Sequence, residues 1–209
     1  VAKVVAGNRA VALAVHAAAK KRRKNIIHID AVESKTAKAP RAPAEALGLD
    51  GAAFCKQVHG PEIYRVASPG LAGEGDALVT DTPGLGLMCF SADCPLVLVA
   101  DPAGPAVGIA HASWRSTVQS ISTKLVARMV MEFNCKPENL LAAISPGAGP
   151  CCYRVGAEVV EKAVRELGLM AERYFCVDGG KFVCDLWGLN RAQLVSAGLH
   201  RSSVAVAGA

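Results

Sequence analysis

An α+β fold, with mixed β-sheets flanked by helices, is what this sequence predicts, and three observations lead there. Short apolar runs bounded by Gly, Pro or Asp are more numerous than strict strand–helix alternation would give. Helical periodicity is confined to a few segments, clearest where Val118, Ile121, Leu125, Met129 and Phe133 recur on one face. Just over half of the 209 residues are hydrophobic (52%), enough for one large domain with a sizeable core. No internal repeat or linker divides the chain, so residues 1–209 read as a single domain.

The elements follow in order. Residues 8–24 read as a helix, capped by Asn8 and ended by the basic run Lys20 to Lys24, where cations suit the helix dipole. Residues 33–43 are polar and rich in Pro, Ala and Lys, a connector. Residues 43–47 form a short helix with Gly48 as its stop. Residues 52–58 and 62–67 are strands, followed by a Gly-rich turn over residues 73–75 and a strand over 76–80. Residues 85–91 and 96–100 flank an Asp93-Cys94-Pro95 corner, and residues 107–110 form an apolar strand ending at His111. A helix spans 116–133, a buried strand 140–144 and a tight Gly/Pro loop 146–150. Helices over 157–167, stopped by Gly168, and over 189–197 precede a last strand at 203–206.

Composition excludes several classes. The net charge of +5 favours small anions and falls short of a nucleic-acid footprint. No apolar run approaches the ~20 residues needed to span a bilayer. Eight cysteines without a secretory signal point to free thiols in a reducing cytoplasm rather than a disulfide scaffold. Cys55, Cys89, Cys135, Cys176 and Cys184 sit in or beside apolar stretches, as small hydrophobes do. Cys151 and Cys152 are adjacent and cannot easily pair with each other. The chain opens at Val1 without an initiator Met, the expectation for a processed or partial chain.

The chemistry concentrates in three segments, Gln57-Val58-His59-Gly60, Ala92-Asp93-Cys94-Pro95 and His111-Ala112-Ser113-Trp114-Arg115. Each places a His or Cys where an apolar run meets a turn. If His59, Cys94 and His111 converge, they make either a soft-metal site with an open position or an activated thiol. If not, His59 is a turn residue, His111 a core histidine and Cys94 a buried thiol. Asp76 and Asp93 lie near the same strand ends, where they can orient an imidazole or cap a turn. Arg115 can meet a phosphate, or form a surface ion pair. Trp114 can stack on a base or fill the core. The loop Ser145 to Pro150 offers backbone N–H groups to an anion but lacks the Lys of a P-loop.

The ordered series Lys56-Gln57-Val58-His59-Gly60, Gly75-Asp76-Ala77-Leu78-Val79-Thr80, Ser91-Ala92-Asp93-Cys94-Pro95, His111-Ala112-Ser113-Trp114-Arg115 and Gly149-Pro150-Cys151-Cys152-Tyr153 resembles the YfiH / laccase-domain family. Asp185-Leu186, Asn190-Arg191 and Gln193-Leu194 resemble its later helix. The likeness covers roughly residues 50 to 200, while residues 1–50 do not align clearly. It implies a four-layer α/β/β/α fold, similar in shape to a cytotoxic necrotizing factor-like toxin deamidase domain. It also implies a zinc held by His59, Cys94 and His111, with copper second. The implied activities are phosphorolysis of adenosine, inosine and methylthioadenosine, and deamination of adenosine. The implied partners are thus a purine nucleoside and phosphate. Arg115 and Gln57 are the candidate substrate contacts, and Asp76 and Asp93 the candidate proton carriers beside the three ligands.

The chain departs from that family at Ser113 and Ser116, where glycines are usual, and at Arg154, where Glu is usual. It ends before the family's Cys-Thr and Ser-Tyr-Arg stretches. Three rival readings stand beside this one. A metal-free thiol hydrolase or amidase would use Cys94 as nucleophile and His111 as base. A laccase-like copper phenol oxidase would need more paired histidines than the five present, His16, His28, His59, His111 and His200. A non-catalytic scaffold follows if the three candidates lie apart.

Overall fold

The computed structural model describes residues 29–30, 44 and 48–207. The helix expected over 8–24 and the connector over 33–43 lie outside them. So does most of the helix expected over 43–47, of which Ala44 is helical. Gly48 follows with φ +68°, and the Leu49 N–H closes back on the Ala44 carbonyl at 2.9 Å. That is the left-handed stop a glycine supplies.

The described elements are β1 (Ile29–Asp30), β2 (Gly51–Lys56), β3 (Ile63–Arg65), β4 (Gly70–Glu74), β5 (Ala77–Thr80), β6 (Leu85–Met88), β7 (Phe90–Ser91), β8 (Leu96–Ala100) and β9 (Val107–His111). After them come α1 (Trp114–Val118), α2 (Ile121–Phe133), β10 (Leu141–Ile144), β11 (Arg154–Val155), α3 (Ala157–Leu167), β12 (Phe175–Asp178), β13 (Lys181–Cys184), α4 (Leu186–Ser196) and β14 (Val204–Val206). The fold is a mixed α+β arrangement of several sheets with few helices. Its centre is a mixed six-stranded sheet in the order β14-β10-β8-β9-β5-β3. A parallel three-stranded sheet, β4-β2-β6, lies against one of its faces, and an antiparallel one, β11-β13-β12, stands to the side.

Strand alternation divides the core. Ala77, Val79, Val97, Val99 and Ala110 point one way, into a cluster with Ile121, Leu125, Met129 and Leu194 from α2 and α4. Leu78, Leu96, Ala100, Val107 and Ile109 point the other way and meet Ala53, Cys55, Leu85, Leu87 and Cys89 of the small sheet. Because both faces of β5, β8 and β9 are covered, these strands are apolar at almost every position. The far face of the small sheet is capped by Ala44 and Leu49 against Ala52 and Met88.

Three expectations need correction. The Gly-rich segment around residue 73 is strand β4, paired in parallel with β2 through a register shift, because its glycines let the backbone pass the Tyr64 ring. The single helix expected over 116–133 is broken into α1 and α2 at Gln119–Ser120, where Ser120 adopts φ 63°, ψ 38°. Cys176, expected in the core, is exposed on β12.

The helix break has a physical cause that lies outside the segment itself: a polar clamp from α4. Gln193 donates to the Thr117 carbonyl at 2.7 Å and accepts from the Ser122 N–H at 3.3 Å, replacing bonds a continuous helix would make. Asn190 accepts from Ser122 Oγ at 2.7 Å and donates to Thr117 Oγ1 at 3.0 Å and the Leu186 carbonyl at 2.8 Å. Both side chains are buried. An unpaired buried polar group costs about 1–3 kcal/mol. Asn190→Ala is therefore expected to lower unfolding free energy by about 2 kcal/mol, read from the urea midpoint at unchanged slope.

Candidate metal centre

The central sheet brings the site together at one end. Leu96 at the start of β8 pairs with His111 at the end of β9, so Cys94 stands next to His111. Ala77 at the start of β5 pairs with Ala110, which puts Asp76 on the other side of His111. His59 arrives from the turn after β2. The ligand atoms of His59, Cys94 and His111 all lie within 4.8 Å of one another, the one such group among the described residues. The two imidazole rings meet edge to face at 5.1 Å. Burial is graded, with His111 buried, Cys94 intermediate and His59 exposed.

Asp76 organises this end. It is wholly buried, and its Oδ1 lies 2.8 Å from His111 Nδ1. An ionised carboxylate only accepts, so Nδ1 carries a proton in either protonation state of the ring, and Nε2 is the atom that faces Cys94 and His59. Its Oδ2 accepts from the Val58 N–H at 3.0 Å and the Gly60 N–H at 2.8 Å. These amides flank His59, whose φ of 60° lies in the left-handed region that costs a non-glycine residue roughly 1–2 kcal/mol. One carboxylate thus holds both histidines.

The electrostatics follow from this geometry. Burial raises the Asp76 carboxyl, but the bonds from His111, Gly60 and Val58 outweigh it and leave its pKa lowered. Burial likewise opposes the His111 imidazolium, and the Asp76 bond and the nearby Cys94 override it, lifting His111 to about 9. His59 is lowered by burial and by the charge of His111.

The Cys94 corner is tied from several directions. Ser91 Oγ donates to the Cys94 carbonyl. The Ala148 N–H donates to the Asp93 carbonyl at 2.7 Å, and the Ala112 N–H to the Pro95 carbonyl at 2.9 Å. A Cβ on Gly147 would stand 2.7 Å from the Asp93 oxygen, so only glycine lets the loop approach so closely.

The other sequence candidates fall as follows. Asp93 is exposed beside Cys94. Gln57 is spent on main chain, donating to the Phe90 carbonyl at 2.8 Å and accepting from the Phe90 N–H at 2.6 Å. Arg115 is exposed at the start of α1, its guanidinium 4.5 Å over the Trp114 ring. Among the described residues no carboxylate pairs with it, and its charge reaches both His59 and Tyr153. Trp114 packs partly against Val118 and Leu186. Ser113 caps α1 by accepting from the Ser116 N–H, and Ser116 Oγ donates to the His111 carbonyl at 2.9 Å. Arg154 makes a surface ion pair with Asp178 at 2.7 Å. Tyr153, which the sequence offered only as the end of the Gly149-Pro150-Cys151-Cys152-Tyr153 motif, stands near the three ligands. Burial and the charge of Cys94 push its phenol to about 12, so it keeps its proton beside Cys94 and Arg115. Its place directly after Cys151-Cys152 carried no chemical signal of its own.

The family described as multi-copper polyphenol oxidoreductase laccase matches this sequence over residues 13–209. The chain belongs to that family. A purine nucleoside phosphorylase of Deinococcus radiodurans is 40% identical over 158 residues, covering 75% of this chain and 60% of that protein. YlmD of Geobacillus stearothermophilus, named a purine nucleoside phosphorylase, is 34% identical and is covered to 63% by 77% of this chain. The crystal structure of Bacillus licheniformis hypothetical protein YfiH superposes with a TM-score of 0.72 at 30% identity, over 80% of this chain and 68% of that one. The chain thus spans about 60% of the length of the curated relatives it matches. Among the described residues no helix is long and apolar enough to cross a membrane.

The donor set fits a metal. Two imidazole nitrogens and one thiolate suit zinc, and also copper. The spread of 4.8 Å lets small rotamer changes bring all three onto one ion with bonds of about 2.0–2.3 Å. A carboxylate behind a ligating His typically contributes 10–100-fold in metal affinity. Asp76→Asn is accordingly expected to weaken metal retention by about 10–100-fold, measured by chelator competition. Asp76 also links stability to pH in metal-free protein. The raised His111 pKa makes its stabilisation full below 6.5 and lost as pH rises through about 9. Thermal unfolding of chelator-treated protein should show its midpoint falling across that window, and Asp76→Asn should flatten the fall.

Proposed function

We propose that this chain carries a zinc-dependent purine nucleoside phosphorylase centre in the cytoplasm, acting on adenosine, inosine and methylthioadenosine, with adenosine deamination as a second reaction. The observation that carries the reading is the convergence of His59, Cys94 and His111 on one point, beside an Arg115 that pairs with no carboxylate among the described residues. The names of the curated relatives support the phosphorylase part. Zinc is preferred to copper because a multicopper site needs several histidine clusters, and the described residues hold one.

In this reading His59, Cys94 and His111 hold the ion. When bound, zinc supplies Lewis-acid chemistry at its open coordination position. Asp76 keeps the proton on His111 Nδ1, and with both oxygens engaged it positions rather than shuttles. Arg115 holds phosphate through charge-assisted bonds in a fixed fork. A phosphate oxygen bonds to the anomeric carbon of the ribose as the bond to the purine nitrogen breaks, and the base leaves with a proton. Tyr153, protonated throughout the physiological range, would donate to phosphate or to the departing base. In deamination, water adds to the purine carbon bearing the amine and ammonia leaves. Asp93, exposed and near Tyr153, is the carboxylate free to carry that proton. Gln57 serves as a tether, not as a substrate contact.

A second reading has its own support. Cys94, His111 and Asp76 stand in the order of a thiol nucleophile, its base and the carboxylate that orients the base. It leaves His59 without a task.

Incubation with adenosine or inosine plus phosphate, beside a Cys94→Ala control, separates the readings. Free base and ribose 1-phosphate from wild type alone are expected, and inosine from adenosine marks the second reaction. Arg115→Ala is expected to raise KM for phosphate roughly 10–100-fold, the worth of a charge-assisted bond, with little change in KM for nucleoside. Activity that survives full chelation but not thiol alkylation would overturn the zinc reading in favour of the thiol hydrolase.

A further inference from the structure

Outside the three-ligand centre, the described residues hold a second cluster of soft ligands. Cys151 and Cys152 are both exposed and both free, and their Sγ atoms stand 3.4 Å apart on one turn. The turn is clamped. The Cys152 and Tyr153 N–H groups close on the Gly149 carbonyl at 3.1 and 2.9 Å. Ala148 is bonded to the Asp93 carbonyl, and a Cβ on Gly149 would stand 2.6 Å from the Trp187 ring. Two thiols held on a rigid turn form a preorganised chelate.

Their number and spacing fit a guest that needs only two thiols. With bonds to sulfur of about 2.3 Å, a separation of 3.4 Å corresponds to an angle of roughly 95° at the ion. Structural zinc takes four protein ligands, and two thiols supply only half of that set. The narrow bite suits a pyramidal, three-coordinate centre with soft character. Room for its third substituent exists, since Cys151 lines a cleft of about 330 Å³ with Pro150, Trp187 and Gly188.

We propose that Cys151 and Cys152 form a binding site for one trivalent metalloid, of the arsenous type, whose remaining substituent occupies the cleft beside Trp187. The step conserves atoms and oxidation states. Each thiol gives its proton to a departing hydroxide, two arsenic–oxygen bonds break, two arsenic–sulfur bonds form and two waters leave. The site adjoins Tyr153 but uses none of the three ligands His59, Cys94 and His111, and its binding does not depend on what that centre catalyses.

Titration of the full chain with phenylarsine oxide, followed by intact mass and by counting reactive thiols, tests this. One adduct per chain is expected, with two thiols lost together, in zinc-loaded and chelator-treated protein alike. A small dithiol should reverse it and a monothiol should not. Cys151→Ser and Cys152→Ser should each weaken retention by about 100-fold or more, the loss expected when a two-point attachment becomes one-point. Both residues are exposed, so the variants fold, and circular dichroism checks that they do. An adduct that persists in the double variant, forms only after zinc removal, or fails to form on wild type would overturn the proposal.

Discussion

The buried carboxylate of Asp76 is the constraint on which the rest of the site depends. It is wholly enclosed, so its charge must be matched by fixed donors. Those donors are His111 Nδ1 on one oxygen and the two amides flanking His59 on the other. The matching works in both directions. The carboxylate stays ionised, His111 keeps its Nδ1 proton, and the turn carrying His59 is held in a left-handed conformation it would otherwise avoid. Removing the charge would loosen two of the three candidate ligands together, although they lie 52 positions apart in the chain.

Sheet topology makes that grip possible. Antiparallel pairing of β9 with both β5 and β8 collects two strand starts and one strand end at the same edge, and each delivers a functional residue there. The helices act at a distance. The Asn190 and Gln193 clamp breaks the chain after α1, which fixes the short helix bearing Trp114 and Arg115 separately from α2. Ser113 and Ser116, unusual as replacements for glycine, become intelligible here. Their hydroxyls satisfy the start of α1 and the His111 carbonyl, adding bonds where glycine would offer none.

Much of this was legible in the sequence because the signals were local. β5, β8 and β9 read clearly because burial on both faces leaves continuous apolar runs. Gly168 and the amphipathic run before it marked α3 without ambiguity. His59, Cys94 and His111 were found as candidates because each ends an apolar run. What escaped was non-local. The partner of Gln57 is the main chain of Phe90, and the partners of Gln193 lie about seventy residues away, so neither role could be read from neighbours. β11, β12 and β13 are short and partly exposed, and they lack the patterning that marks a strand. Asp76 was picked out for one bond to an imidazole. Its second grip, on the turn around His59, needed coordinates.

The central claim is that these residues form one metal centre with two nitrogen donors and one sulfur donor. Metal analysis combined with X-ray absorption at the zinc edge tests it most directly. The account predicts one zinc per chain with one sulfur at about 2.3 Å and two imidazole nitrogens at about 2.0 Å, the sulfur contribution vanishing in Cys94→Ala. A folded protein that takes up no zinc, or one whose bound zinc keeps its sulfur shell in Cys94→Ala, would contradict it.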